Sequence, residues 1–262
     1  VDRSTPEVGL GLYRVILTSG PVWAICLAHV ANDWSFYVLA DGLPGFMRDS
    51  LGFDLALSGF LASAPQLMLC VLVILSATAA DWLRARCCST GVVRKLFTCA
   101  GLGASAFFCV LLGFGYVTSP DAAVICTFGA NAFIGLASGG GYEVNHLDIA
   151  PAAAAMVLGV YNTIGQLTGT AAPIIMSWLT PYPDGISRSQ HEEAGRTPSP
   201  QWVEDMSAQW RTVFLLTATI NLLGAVSYTL LGSGERQWWS PVGPYGDEHA
   251  SVVSANSKST QE

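Results

Sequence analysis

Asn145-His146-Leu147-Asp148-Ile149-Ala150-Pro151 forms a compact polar knot between two uncharged, Gly-rich runs of the chain, within a region from Asn131 to Pro173. A helix cannot pass through it unchanged, because Pro151 lacks an amide proton and pre-sets the first turn of a new helix. Upstream, Asn131, Gly135, Ser138, Tyr142 and Asn145 recur at spacings of four and three, the period of one helix face. Downstream, Gly159, Asn162, Thr163, Gln166, Gly169 and Thr170 do the same. Two helices, each with one polar stripe on an apolar body, are expected to meet at the knot. In lipid such stripes must face other helices or a watery cavity.

Of the 262 residues, 51% are hydrophobic and 12% charged, about half the charged fraction of a soluble domain. Mean hydropathy is +0.44. Charge is absent from Leu55 to Ala80, Leu96 to Pro120, Ala122 to Tyr142, Ile149 to Pro183 and Thr212 to Gly234. Each run reaches the roughly 20 residues that cross a bilayer. With a first span at about Gly20 to Gly45, the expected fold is all-α: a polytopic membrane protein of six transmembrane helices. The remaining spans are expected at about 57–80, 93–117, 122–145, 151–179 and 210–231.

Domain organisation follows from the polar intervals. Residues 1–19 read as a cytoplasmic connecting segment in which Leu10, Leu12, Val15 and Ile16 can form a short interfacial helix. Residues 20–235 hold the six-helix bundle, 180–209 a long extracytoplasmic loop without a core of its own, and 236–262 a disordered cytoplasmic tail. Gly42 and Pro44 are expected to end or kink the first span, and Pro65 and Pro173 to bend the second and fifth. Trp23, Trp82, Trp178, Trp210, Trp238 and Trp239 fall near span ends, as an aromatic belt requires. The first residue is Val and no signal peptide opens the chain, so an N-terminal portion is expected to be missing.

Several function classes lose support. The net charge of −7 arises mainly in loops and tail without a basic tract, which argues against nucleic-acid binding. The seven cysteines have no paired metal-ligand spacing, so neither a zinc site nor a disulfide framework is expected. Gly139-Gly140-Gly141 has no preceding strand and no following Gly-Lys-Ser/Thr, so it is no phosphate loop. Basic residues set the orientation. Arg3, Arg14, Arg84, Arg86, Arg94, Lys95, Arg236 and Lys258 fall on one side, and Arg48, Arg188, Arg196 and Arg211 on the other. That excess places both chain ends in the cytoplasm.

The first span carries acids. His29, Asn32, Asp33, Phe36 and Tyr37 share a helical face, and an ionisable group inside a span is a functional candidate by default. Two readings stay open: Asp33, beside His29, is a proton carrier, or the two, four residues apart, only satisfy each other. The stripes around the knot add Asn145, Asn162 and Gln166 as candidate solute contacts. Asp81-Trp82-Leu83-Arg84-Ala85-Arg86 and Arg94-Lys95 bracket the loop after the second span.

The knot, with Gly159-Val160-Tyr161-Asn162-Thr163, resembles the sialin, vesicular glutamate transporter and sodium-phosphate cotransporter family, anion:cation symporters of the major facilitator superfamily. The resemblance extends to Asn32-Asp33-Trp34-Ser35-Phe36-Tyr37, Leu51-Gly52-Phe53, Ala80 to Arg84, Val93-Arg94-Lys95 and Gly232-Ser233-Gly234-Glu235. It runs from about Gly20 to Trp239 and matches the C-terminal half of the family's architecture. It implies a secondary active transporter, and no enzyme or cofactor, for a small organic or inorganic anion coupled to protons or sodium. The implied setting is a plasma, lysosomal or vesicular membrane, with a missing N-terminal six-helix half as partner. By analogy Asn32 and Tyr37 face the substrate cavity, and Asp81 gates, with Arg84 and Asp148 beside it. The vesicular glutamate transporters have an arginine at the position matching Asn32, so its absence favours a sialin-like or phosphate-transporter-like member. A passive anion channel and a non-transporting membrane fragment are the alternatives.

Overall fold

A computed structural model of the chain describes residues 10–240. Arg3, Lys258 and the expected tail beyond residue 240 lie outside the described residues. The helices are α1 (Leu10–Thr18), α2 (Gly20–Asp49), α3 (Leu55–Arg86), α4 (Thr90–Gly113), α5 (Pro120–Gly140), α6 (Asn145–Ile149), α7 (Ala154–Leu179), α8 (Arg188–Glu193) and α9 (Pro200–Leu231), with a 3-10 turn at Pro151–Ala153. Six of them run for 21 to 32 residues. Among the described residues there is no strand.

Local chemistry starts these helices. Ser119 and Ser199 each stand before a proline at the first helical position, and their hydroxyls accept from the amides of Ala122 (3.3 Å) and Trp202 (3.2 Å). Asp54 does the same for Leu57 at the start of α3 (2.8 Å). Each bond satisfies an amide that the first helical turn leaves without a partner.

Four segments, Ala56–Arg86, Thr90–Gly113, Pro120–Ile149 and Pro200–Leu231, are long and apolar enough to cross a membrane by themselves. A fifth is the pair formed by α1 and α2, bent by 65° at Ser19. The remaining long helix, α7, has the length, with 26 residues. Asn162, Gln166 and the threonines and glycines around them lower its mean hydropathy, so its apolar signal is weaker than the charge-free run suggests.

Several boundaries differ from expectation. α2 continues through Gly42 and Pro44 to Asp49, since Phe46 and Met47 bury their side chains in the bundle and hold the last turns. α3 runs on to Arg86, so Asp81 to Arg86 is helix, and only Cys87 to Ser89 links it to α4. The interval 180–209 is not a coreless loop: it contains α8, and α9 begins at Pro200 so that Trp202 and Met206 are buried. Tyr142 and Asn145 lie beyond the end of α5, so the upstream stripe is not one continuous helix face. Trp210 and Trp239 are core residues, whereas Trp23, Trp82, Trp178 and Trp238 are exposed as belt residues would be.

α2 is the central helix and packs against α7, α9, α3 and α5, while α4 sits between α5 and α9. Small residues allow the close approaches. A Cβ on Gly101 would meet the Ala137 amide nitrogen at 2.6 Å, and one on Gly135 the Leu69 carbonyl at 2.8 Å. Two apolar clusters fill the bundle. One lies around Leu39, Met47 and Phe214 towards the Asp49 end, the other around Ile16, Ile25, Tyr161 and Tyr228 towards the Ser19 end. A buried polar layer ties three helices together: Trp34 donates to Thr217 (3.1 Å), Ser35 to Asn221 (2.9 Å), and Asn221 to Ser105 (3.1 Å).

Candidate functional site

A cavity of about 370 Å³ lies where α2, α3, α5 and α7 approach one another. The α2 face supplies His29, Asn32, Asp33, Phe36 and Tyr37; α3 supplies Leu69 and Val73, α5 supplies Ser138, and α7 supplies Gln166. Tyr142 and Glu143, from the turn after α5, complete the lining. The positions 29, 32, 33, 36 and 37 recur at helical spacing, which is why one helix presents all five.

Hydrogen bonds fix this lining. His29 Nδ1 lies 3.1 Å from the Tyr142 hydroxyl, and its Nε2 is 3.3 Å from Asp33 Oδ2. The Asn32 amide donates to Ser138 Oγ (3.3 Å), and the Tyr37 hydroxyl to Gln166 Oε1 (3.4 Å). α7 comes this close because Gly165 and Gly169 face α2: a Cβ on Gly165 would stand 2.7 Å from Asp33 Oδ2, and one on Gly169 2.7 Å from Tyr37 Cζ. The ring of Tyr161 meets His29 edge-on at 5.0 Å and reaches Glu143 and His146 through its hydroxyl.

Sequence-based candidates divide at this point. His29, Asn32, Asp33, Tyr37 and Gln166 line one cavity. Asn162 is on the exposed side of α7 beside them. Asn145 is elsewhere: its amide donates to the Tyr228 hydroxyl (2.7 Å) and the Ser233 carbonyl (3.0 Å), which ties the knot to the chain after α9. Gln237 extends that tie, its backbone N–H donating a hydrogen bond to the Ile149 carbonyl (2.8 Å).

The knot's acid organises a second cluster. Asp148 Oδ2 accepts from Arg94 Nε at 2.7 Å, its Oδ1 is 3.4 Å from Arg84 Nη2, and Arg94 also donates to the Gly140 carbonyl (3.0 Å). Asp81 is 76% exposed and 3.7 Å from Arg84, so it is peripheral to this network. Arg94 is only 4% exposed. Sequence reasoning assigns Arg94 no role of its own and passes over Glu143 altogether. Glu143 carries a legible signal, an acid inside the span expected at 122–145, the same signal that singles out Asp33.

A bundle of long apolar helices around a polar cavity is the architecture of a multi-pass membrane protein. No family model matches the chain. It is 34% identical over 241 residues to a probable vesicular glutamate transporter of Caenorhabditis elegans, covering 92% of this chain and 37% of that protein. It is 34% identical over 235 residues to human sialin, covering 89% of this chain and 43% of sialin. It is 29% identical over 242 residues to a zebrafish vesicular glutamate transporter, covering 92% of this chain and 37% of that protein. The chain belongs to the family that contains sialin and the vesicular glutamate transporters, and it spans about two fifths of the length of the relatives it matches.

Proposed function

We propose that the chain is the C-terminal part of a secondary active transporter for small anions, sialin-like or phosphate-transporter-like, coupled to protons or sodium. The observation that carries this reading is the cavity lined by His29, Asn32, Asp33, Tyr37 and Gln166, in a chain related over nine tenths of its length to transporters so named. A solute crossing at mid-depth needs hydrogen-bonding partners there, and few fixed charges, so that it is released again. Asn32 and Tyr37 act as substrate contacts, with Gln166 positioning Tyr37 and Asn162 beside them; His29 and Asp33 are the proton-coupling pair.

Asp148, held by Arg94 and Arg84, is the centre of the gate at one end of the bundle, with Asp81 at its margin. A partner of six further helices faces the open side of the cavity, and both chain ends lie in the cytoplasm of a plasma, lysosomal or vesicular membrane. The test is uptake by the full-length protein in liposomes. Asn32→Ala and Tyr37→Phe are expected to weaken apparent affinity several-fold, and Asp33→Asn to flatten the pH dependence of uptake. Unchanged affinity and pH dependence in all three would remove α2 from the mechanism. Electrogenic flux that persists without any cation gradient would favour a passive channel.

A further inference from the structure

Two neighbouring thiols stand between two spans. The segments Ala56–Arg86 and Thr90–Gly113 leave only Cys87-Cys88-Ser89 between them, so the pair sits where hydrocarbon gives way to water. Cys87 is exposed and Cys88 half-buried, and their Sγ atoms are 3.4 Å apart. The hydrogen bond to Cys87 pushes the Cys88 thiol up, which leaves Cys87, the more accessible sulfur, as the nucleophile of the pair. The other cysteines lack this setting. Cys26, Cys109 and Cys126 are buried, and Cys99 Sγ packs against Thr229 Oγ1 at 3.0 Å. Cys70 is exposed, but it lies in the middle of an apolar span.

The surroundings of the pair are those of a lipid surface. Arg84 and Arg86 precede it and Arg94 and Lys95 follow it, a basic set that draws the link towards anionic headgroups. Arg86 lies over the Trp82 ring at 5.8 Å. Trp82, Val92 and Leu96 are all exposed, and they flank the thiols with apolar surface along which an acyl chain can lie. We propose that Cys87 and Cys88 form a site of S-acylation by a long-chain fatty acid, with acyl-coenzyme A as the donor. The Cys87 thiolate attacks the thioester carbonyl carbon, and a new carbon–sulfur bond forms. The bond to the coenzyme A sulfur breaks, and coenzyme A leaves with the proton that Cys87 gave up. No oxidant or reductant is required. The acyl chain tethers the link to the bilayer three residues from Arg84, which contacts Asp148 (3.4 Å) and Thr90 (3.3 Å). This modification goes beyond the transport reading and shares only its orientation, which puts the link in the cytoplasm, where acyl-coenzyme A is available.

The experiment expresses the full-length protein in eukaryotic cells fed an alkynyl palmitate, followed by purification, coupling to a fluorophore and peptide mass spectrometry. The expected result is a label that hydroxylamine releases, as it does a thioester, and that maps to the peptide holding Cys87 and Cys88. Cys87→Ser is expected to lower the label, Cys87→Ser with Cys88→Ser to abolish it, and Cys70→Ser to leave it unchanged. Mapping on the wild-type protein decides the question by itself if a variant fails to fold. Absence of label in the wild type, label that resists hydroxylamine, or label retained in the double variant would each overturn the proposal. An impermeant thiol reagent separates the two levels. Reaction of Cys87 from the cytoplasmic side without acyl label removes only the modification, whereas reaction from the opposite side alone removes the orientation and the modification with it.

Discussion

Asp148 and Asp81 lie at the same end of the bundle, and their surroundings predict different consequences of losing charge. Asp148 faces Arg94, which is nearly fully buried, at 2.7 Å, with Arg84 at 3.4 Å. Asp148→Asn leaves a buried guanidinium without its counter-charge, and the expected loss of stability is about 3–5 kcal/mol. Asp81→Asn removes an exposed charge 3.7 Å from Arg84, with an expected change of about 1 kcal/mol or less. Thermal unfolding in detergent measures both, and equal destabilisation would show that the network is not centred on Asp148. At the opposite end, Asp184 faces His191 (2.8 Å) and accepts from the Trp202 indole (3.1 Å). Desolvation pushes the Asp184 carboxyl up, but bonds from the Ile186 amide and Trp202, with the charge of His191, outweigh it and hold it below the usual 3.8. A depressed carboxyl contributes stability above its unfolded value and loses it as pH falls through the lower folded value. Asp184→Asn is therefore expected to speed protease cleavage between residues 180 and 199 at neutral pH and to have no effect at a pH below both values.

At the scale of helices, contact between α2 and α7 depends on two glycines. Gly165 and Gly169 bring α7 onto the His29, Asp33 and Tyr37 side chains, and a Cβ at either position overlaps them. Gly165→Ala is expected to push the helices apart, lower thermal stability and weaken solute binding together. Gly159, earlier on the same helix, has open space around it: a Cβ there would meet nothing within 4 Å. Gly159→Ala is expected to be neutral or to stabilise by up to about 1 kcal/mol through helix propensity. If both substitutions behave alike, close packing of α7 on α2 is not what shapes the cavity. The pattern of glycines four apart was legible in the sequence; which neighbour they faced was not, because a stripe of small residues states only that something comes close. The same limit explains Asn145: its place in a polar stripe was legible, but the break after Gly140 turned it towards Tyr228 and Ser233.

For the whole molecule, the alternation of α2, α3, α4, α5, α7 and α9 puts Cys87 and Cys88 at one end of the bundle and Ser199 at the other. In the proposed orientation, with both chain ends in the cytoplasm, an impermeant thiol reagent is expected to reach Cys87 from the cytoplasmic side and a cysteine at Ser199 only from the opposite side. Labelling of both from one side would refute the six-span arrangement. Long charge-free runs and the residues of the polar knot were enough to determine from sequence that the chain is a helical membrane bundle of this family. They are local signals, set by hydrogen bonding along one segment and by the roughly 30 Å of hydrocarbon that segment must cross. Helix ends and partners were decided only in the tertiary structure. α2 and α9 extend past their apolar runs because Phe46, Met47, Trp202 and Met206 find apolar neighbours there, and Glu143 reaches the Asp33 cavity because the chain turns after α5. Such contacts join residues far apart in sequence, so no single segment contains the information that fixes them.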